Sequence, residues 1–223
     1  MSESKITVMA VGAHPDDIEG FFGGTLIKYH EQGHRVHMVI ATDGRRGGPN
    51  PGTELALARK KEAINAAAHI GVEPLFLDFE DGRLIYSQET YEKVIGACHN
   101  VKPDIVITHD ANDYHPDHRA ISRLTTDAAG VPVLFGDTLM GIGFEPEFFV
   151  DITAQVKLKN KMLVEHKSQN PSRMVEMKEV QARFRALQST RDPWGVNQSP
   201  RYAEAFRLYK RIGCLNGYEL LPK

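Results

Sequence analysis

The sequence predicts an α/β protein whose mostly parallel sheet lies between two layers of helices, a three-layer sandwich. Short apolar runs rich in β-branched residues alternate along the chain with longer stretches whose apolar residues recur at helical spacing. Glycine closes two of these helical stretches, at Gly33 and Gly71. Such alternation needs crossover connections, which give parallel strands with helices on both faces of the sheet.

Four strand–helix units account for the first part of the chain. The strands are predicted at 6–13, 36–41, 74–78 and 104–108, and the helices at 18–32, 54–70, 88–101 and 116–130. Beyond Val131 the pattern predicts short strands at 131–135 and 148–152, then two or three amphipathic helices to about Arg211. The whole chain, 1–223, is interpreted as one Rossmann-like domain that the carboxyl-terminal helices close.

Composition excludes several classes of function. The 223 residues are 41% hydrophobic and 25% charged, with a formal net charge of -2, so no basic stripe suits a nucleic acid. The apolar run at 6–11 is too short for a signal-peptide core or a membrane span. Cys98 and Cys214 form no metal or redox pair. We therefore expect a cytoplasmic protein with neither nucleic-acid nor membrane partners.

Two histidine- and carboxylate-rich turns follow the first and fourth predicted strands. One reads His14-Pro15-Asp16-Asp17 and the other His115-Pro116-Asp117-His118. Loops that leave the carboxyl ends of parallel strands gather at one edge of the sheet, so chemistry is expected after residues 13, 41, 78 and 108. Two converging turns of this composition predict a metal site at that edge.

A purely structural interpretation of these turns is weaker. Asp16 and Glu19 have the spacing of a capping box, and a proline often opens a helix. That interpretation leaves unexplained why His14, His115 and His118 collect at strand ends. A nucleotide-binding module is disfavoured as well, because the first loop lacks the Gly-x-Gly-x-x-Gly turn.

The donor types indicate the metal and its use. Two imidazoles and one carboxylate suit Zn²⁺, and three protein ligands leave a position for water, which is typical of a catalytic site. Iron (Fe²⁺) or cobalt (Co²⁺) accepts the same donors. Spacing alone leaves open which of Asp16 and Asp17 binds the ion, and a non-catalytic metal or carbohydrate binder would keep the same ligands.

The turns resemble those of the LmbE-like, or PIG-L-like, N-acetylglucosaminyl deacetylases. The similarity rests on the Ala-His-Pro-Asp-Asp-x-Glu turn at 13–19 and the His-Pro-Asp-His turn at 115–118. Weaker matches are Thr-Asp-Gly at 42–44, Arg-Lys-Lys-Glu-Ala at 59–63 and His-Lys-Ser-Gln at 166–169. The resemblance implies a hydrolase that removes an N-acetyl group from an amino-sugar conjugate and that forms a homo-oligomer.

The resemblance also implies a division of labour within the site. His14, Asp17 and His118 correspond to the zinc ligands, and Asp16 to the general base that activates water. His115 corresponds to the residue that stabilises the oxyanion or protonates the leaving amine. The alternative that the residues leave open is a zinc amidohydrolase or esterase with a non-sugar substrate.

Candidate substrate contacts lie around these turns. Arg59 matches an arginine that the family uses near its active site, although a solvated helix face explains it equally well. Asp43 and Asn112 are candidate rim contacts. Arg45 and Arg46 stand where the family often has an acidic residue, and this departure is a sign of an anionic substituent on the substrate.

Three further residues are candidates without an assigned role. Asp110 and Asp113 are near enough to the second turn to orient a metal-bound histidine, and the sequence does not rank them. Trp194 is a candidate for the mouth of a sugar site or for an oligomer contact.

Overall fold

Seven strands and six α-helices are formed by residues 5–190, 200–211 and 221–222, which the computed structural model describes. Short 3₁₀ helices span Leu139–Gly141 and Lys167–Gln169. The other elements, in chain order, are β1 (Thr7–Gly12), α1 (Asp17–Glu31), β2 (Arg35–Thr42), α2 (Thr53–Ala68), β3 (Leu75–Phe79), α3 (Gln88–Val101), β4 (Ile105–Thr108), α4 (Pro116–Ala128), β5 (Val133–Gly136), β6 (Phe148–Asp151), α5 (Val156–Leu163), α6 (Pro171–Ser189) and β7 (Ala203–Leu208).

The strands form one sheet in the order β3-β2-β1-β4-β5-β7-β6. Strands β1 to β5 are parallel, and β1 lies between β2 and β4, with Val8 opposite both Val36 and Ile105. Helices α1, α2, α5 and α6 contribute to the core on one face of the sheet, whereas α3 and α4 contribute to the core on the other. The predicted three-layer α/β sandwich with a mostly parallel sheet is confirmed.

Alternate residues of β1 build these two cores. Val8 and Ala10 join the core beneath α1, and Met9 and Val11 join the core beneath α3 and α4. Successive strand side chains point to opposite faces, so a strand covered on both faces must be apolar throughout. All six residues of β1 are buried, as this requires.

The chain reverses its direction of travel across the sheet between β1 and β4. After β1 it proceeds outward through β2 and β3, and α3 then carries it back to β4 on the other side of β1. In open α/β sheets the crevice at such a switch point is where ligands bind, outside the carboxyl ends of the strands. The two His-Pro-Asp turns follow β1 and β4 and therefore lie at this crevice.

The prediction of helices continuing to about Arg211 was wrong in its last part. Residues 203–208 form β7, which is antiparallel to both of its neighbours, β5 and β6. Its residues Ala-Glu-Ala-Phe-Arg-Leu have high helix propensity, but pairing on both edges and burial of Phe206 override that preference.

Two other predictions concern a membrane partner and Trp194. No helix within the described ranges combines the length and the apolar character needed to cross a bilayer. Trp194 lies outside the described residues.

Candidate metal centre

Three potential ligand atoms from the two His-Pro-Asp turns meet at the switch point. His14 Nδ1 lies 3.2 Å from Asp17 Oδ2 and 3.2 Å from His118 Nε2, and the latter two atoms are 3.3 Å apart. A tetrahedral ion with bonds of about 2.0–2.1 Å holds its ligand atoms roughly 3.3 Å from one another. The triangle therefore has the dimensions that such an ion requires.

The second nitrogen of each of these histidines is already engaged. His14 Nε2 lies 3.2 Å from Asp81 Oδ1 and 3.3 Å from Asp117 Oδ2, and His118 Nδ1 lies 3.0 Å from Asp113 Oδ1. Burial alone would lower the pKa of both histidines, but these carboxylates raise the pKa of His14, and that of His118 to about 9, because each accepts an imidazole N–H. When either ring is neutral, as a metal ligand must be, its lone pair is therefore on the nitrogen that belongs to the triangle. Carboxylate partners of this kind also fix the orientation of a metal-bound ring.

The sequence had left Asp110 and Asp113 equal as orienting residues, and their contacts separate them. Asp113 Oδ1 binds His118 and also accepts the backbone N–H of His115 at 2.9 Å. Asp110 instead accepts from Arg207 Nε at 2.6 Å and from the backbone of Asn112 at 2.8 Å. Asp113 is therefore the residue that orients a histidine of the triangle.

Negative charge surrounds the triangle. Burial alone would raise the pKa of each of four carboxyl groups, but hydrogen bonds and charges of the neighbouring histidines hold the pKa values below their ordinary range (Asp17, Asp81, Asp113 and Asp117). For Asp81 the pKa falls to about 2. One ionised carboxylate within the triangle and three around it favour the binding of a cation.

His109 belongs to this cluster although no motif marks it. Its Nε2 accepts the backbone N–H of Ala13 at 3.1 Å and lies 3.2 Å from Asp17 Oδ2, and its ring stacks on that of His118 with centroids 3.8 Å apart. Burial, with a contribution from the charge of His118, lowers the pKa of His109 to about 4. A neutral ring whose lone pair serves a backbone N–H supports the triangle without extending it.

Other groupings of potential ligands overlap the triangle. Among the described residues, three sets place one ligand atom from each member within 4.8 Å of the others: His14, His115 and His118; Asp17, His109 and His118; and His14, Asp81 and Asp117. Asp117 Oδ2 accepts the backbone N–H of Gly82 at 2.7 Å, and Asp81 Oδ2 accepts that of Arg46 at 2.9 Å. These two carboxylates thus also hold the surrounding loops in place.

Asp16 occupies a strained backbone position beside the triangle. Its φ of 118° is rare for a residue with a side chain, and such strain persists only where neighbouring groups hold it. Buried Arg59 does so, since its Nη2 donates to Pro15 O at 2.7 Å and to Asp16 Oδ2 at 3.0 Å, while Nη1 donates to Gly44 O at 3.0 Å. Burial raises the pKa of Asp16, and the charge of Arg59 partly offsets this.

The capping-box interpretation of this turn fails in the structure. The side chain of Asp16 makes no capping hydrogen bond to α1. Both carboxylate oxygens of Glu19 are buried without a hydrogen-bond partner among the described residues, and the nearest basic group is His166 Nε2, 3.5 Å from Oε1. Neither carboxylate therefore serves as a helix cap.

His115 lies at the start of α4 with its ring against the triangle. Its ring centroid is 4.7 Å from that of His14 and 4.8 Å from that of His118. His115 Nδ1 accepts the backbone N–H of Asp117 at 3.2 Å, so the neutral ring carries its proton on Nε2. Burial, together with the neighbouring histidines, lowers the pKa of His115.

A cavity of about 380 Å³ opens beside these residues. It is lined by residues of both turns and by Arg46 of the β2–α2 loop, Arg59 of α2, Tyr114 of the β4–α4 loop and Lys178 of α6. Asp43 and Asn112 are absent from this lining. Asp43 instead binds Arg45 Nε at 2.6 Å, and Asn112 is exposed.

Comparisons with known proteins identify the family of this chain. A family model described as PIG-L, GlcNAc-PI de-N-acetylase, matches residues 9–129, which include both turns. The chain belongs to the PIG-L family. The resemblance found in the sequence is therefore confirmed, and so is the predicted enzyme class, a hydrolase of the N-deacetylase type.

Two relatives of this PIG-L protein act on an acetylated sugar by name. A diacetylchitobiose deacetylase of Thermococcus kodakarensis is 32% identical, with 92% of this chain and 84% of that protein covered. The structure of an N,N′-diacetylchitobiose deacetylase from Pyrococcus horikoshii is 27% identical with a TM-score of 0.77, and covers 93% of this chain and 85% of that one.

The fold also serves a different reaction. A 4-carboxy-2-hydroxymuconate hydratase from Pseudomonas putida superposes with a TM-score of 0.81 over 94% of this PIG-L chain and 98% of its own. Its sequence identity is 23%, so the similarity shows a common fold alone.

Proposed function

We propose that this PIG-L protein is a zinc-dependent deacetylase that releases acetate from an N-acetylglucosamine-type amino-sugar conjugate. The observation that carries the proposal is the triangle of His14 Nδ1, Asp17 Oδ2 and His118 Nε2, with sides of 3.2–3.3 Å. The diacetylchitobiose deacetylases among its relatives support the reaction and the substrate class.

His14, Asp17 and His118 are the proposed metal ligands. Two imidazole nitrogens and one carboxylate oxygen suit Zn²⁺, and Fe²⁺ or Co²⁺ would accept the same donors. The chemistry that a bound zinc ion supplies is Lewis acidity, which polarises a carbonyl group and lowers the pKa of water. The protein contributes fixed donors, because Asp81, Asp113 and Asp117 lock the two rings in place.

Asp16 is the proposed general base. Its carboxylate lines the cavity and adjoins Asp17, and its raised pKa brings it closer to the value at which a carboxylate exchanges protons near neutral pH. Asp16 would take the proton from the attacking water. Arg59 positions this carboxylate through Nη2, and contact of Arg59 with a substrate hydroxyl stays a proposal.

His115 is the proposed electrophilic residue. Because its Nδ1 is occupied by a backbone N–H, its Nε2–H is the donor for the oxyanion that forms when water adds to the acetamide carbonyl. The nitrogen of the departing amine would then receive the proton that Asp16 took from water, and the C–N bond would break to release acetate and the free amine. Contacts of Asp43 and Asn112 to the outer part of a substrate, a homo-oligomer and a cytoplasmic location also stay proposals.

The test is acetate release from diacetylchitobiose by zinc-loaded protein, with Asp16→Asn as the diagnostic variant. We expect Asp16→Asn to keep its zinc and to lose about 10²–10⁴-fold in kcat, since general acid–base catalysis contributes that much. The matched control is Asp127→Asn, which changes an exposed carboxylate near the far end of α4 and should match wild type. Full activity in Asp16→Asn would overturn the assignment.

The alternative reaction is hydrolysis of a non-sugar amide or ester at the same site. A panel of N-acetylated amino-sugars, acetylated amines and acetate esters separates the two. Acetate release only from the compounds without a sugar would favour the alternative.

A further inference from the structure

Lys178 is a buried lysine of the cavity that no proposed catalytic step uses. It lies on α6, is 7% exposed, and lines the cavity together with His14, Asp16 and Asp17. Its Nζ has no hydrogen-bond partner among the described residues and lies 3.3 Å from the centroid of the Phe21 ring. A buried ammonium without an acceptor is costly, so its retention calls for a compensating contact.

Among the described residues no carboxylate contacts Lys178 Nζ, although the charges of Asp17, Asp137 and Asp16 act on it from a greater distance. Lys159, the neighbouring cation, has its own partners, since its Nζ donates to Glu204 Oε1 at 2.6 Å and to Gly20 O at 3.0 Å. Lys178 packs its stem against Gly20, where an added Cβ would lie 3.1 Å from its Cε. Burial, reinforced by the charge of Lys159, lowers the pKa of Lys178 to about 7. A bound anion would restore the charged form.

The other two cations of the cavity are already engaged. Arg59 binds Asp16 and two backbone carbonyl groups, and Arg46 Nη2 donates to Glu80 Oε1 at 2.8 Å. Lys178 is thus the cavity-lining cation, among the described residues, that has no acceptor for its charge. Its four-carbon stem lets the ammonium turn toward a group bound in the cavity.

We propose that Lys178 forms an anion subsite beside the triangle and that the substrate is an N-acetylated amino-sugar bearing a phosphate or carboxylate substituent. This inference rests on the proposed deacetylase function for the reaction and adds the charge of the substrate. The ion pair with Lys178 selects among substrates and orients the chosen one.

The experiment compares neutral and anionic sugars in wild type, Lys178→Met and Lys178→Arg. Acetate release is measured with N-acetylglucosamine, N-acetylglucosamine 6-phosphate and N-acetylmuramate, so the two anionic arms distinguish phosphate from carboxylate. The ratio of kcat/KM for the preferred anionic sugar to that for the neutral sugar should fall roughly 10- to 100-fold in Lys178→Met, the value of a charged hydrogen bond. Lys178→Arg should keep more of the ratio.

The matched control is Arg173→Met, which removes an exposed cation from the first turn of α6 and should leave the ratio as in wild type. Lys178→Gln replaces Lys178→Met if the latter fails to fold. An equal loss toward all three sugars, or no loss, would overturn the anion subsite.

Calorimetry keeps the two proposals separable. If wild type released acetate from none of the sugars, the deacetylase proposal would fail, and binding would decide the subsite alone. Affinity for an anionic sugar over N-acetylglucosamine should then drop by the same roughly 10- to 100-fold in Lys178→Met. Equal affinities in wild type and Lys178→Met would overturn the subsite under either result.

Discussion

Replacing Asp113 by alanine should weaken metal binding without touching a proposed ligand. The carboxylate of Asp113 is 3.0 Å from His118 Nδ1 and also accepts the backbone N–H of His115 at 2.9 Å. Burial alone would raise the pKa of Asp113, but the hydrogen bond and charge of His118 lower it, so the group is ionised at neutral pH. Asp113→Ala removes both the acceptor and this charge.

The size of the effect follows from the role of that contact. Without Asp113 the ring of His118 loses the partner that fixes its orientation and leaves the lone pair on Nε2. Such orienting carboxylates are worth 10–100-fold in metal affinity, which is about 1.4–2.7 kcal/mol. Asp113→Asn keeps an acceptor oxygen but loses the charge, so its zinc affinity should lie between wild type and Asp113→Ala.

Zinc affinity is measured by competition with a chromophoric chelator, with circular dichroism to confirm folding. Asp110→Asn is the matched control, because Asp110 is a buried carboxylate in the same loop after β4 and pairs with Arg207 at 2.6 Å. It should lower the free energy of unfolding and leave zinc affinity unchanged. Equal zinc affinity in Asp113→Ala and wild type would refute the reasoning.

Three further predictions concern stability, each measured by urea unfolding. Lys178→Met should raise the free energy of unfolding above that of wild type, and this gain should be about 3 kcal/mol larger at pH 6 than at pH 9.5. The pKa of Lys178 falls from 10.5 in the unfolded chain to about 7 in the folded protein, so the unfolded chain binds more protons between those values. A pH-independent difference would contradict this. Glu204→Gln should cost about 3–5 kcal/mol by leaving the buried ammonium of Lys159 without its counter-ion, and a loss below 1 kcal/mol would count against it. Gly24→Ala should cost about 1–3 kcal/mol, since its Cβ would lie 2.8 Å from three atoms of Ile152. The same substitution should cost less in an Ile152→Ala background, which removes two of those atoms, and an equal cost in both backgrounds would contradict the clash.

The parallel part of the fold was predictable because its signals are local. Strands buried on both faces are apolar throughout, as β1 is. Gly33 follows the end of α1 with a φ of 81°, which a residue with a side chain rarely adopts. The antiparallel strand β7 was not predictable in this way. Its strand conformation depends on pairing with β5 and β6, from which it is separated by 50 or more residues.

The location of the site was also predictable, whereas its full membership was not. The rule that ligands bind at the carboxyl ends of parallel strands names the positions after 78 and 108, and Asp81 and His109 follow those positions. Neither residue stands in a motif, and only the sheet register brings His109 to Asp17. Asp117 lies inside the second His-Pro-Asp turn, but its contact to His14 crosses from one turn to the other.

Arg59 is a residue whose place near the site was predictable from the sequence, whereas its contacts there were not. Its position in the Arg-Lys-Lys-Glu-Ala segment predicts a site residue, and on sequence alone a solvated helix face explains it equally well. The structure buries Arg59 to 3% exposure, with Asp16 and the backbone of its turn as partners. A buried guanidinium needs such acceptors, and the chain supplies them across a long sequence separation.

The zinc stoichiometry of His14→Ala against wild type, measured by elemental analysis after dialysis, tests the central claim most directly. Wild type should retain one zinc ion per chain. His14→Ala should retain none, because it removes one corner of the triangle and leaves Asp17 and His118 as two donors. Retention of zinc by a folded His14→Ala variant at the wild-type level would contradict the assignment of this triangle as the metal site.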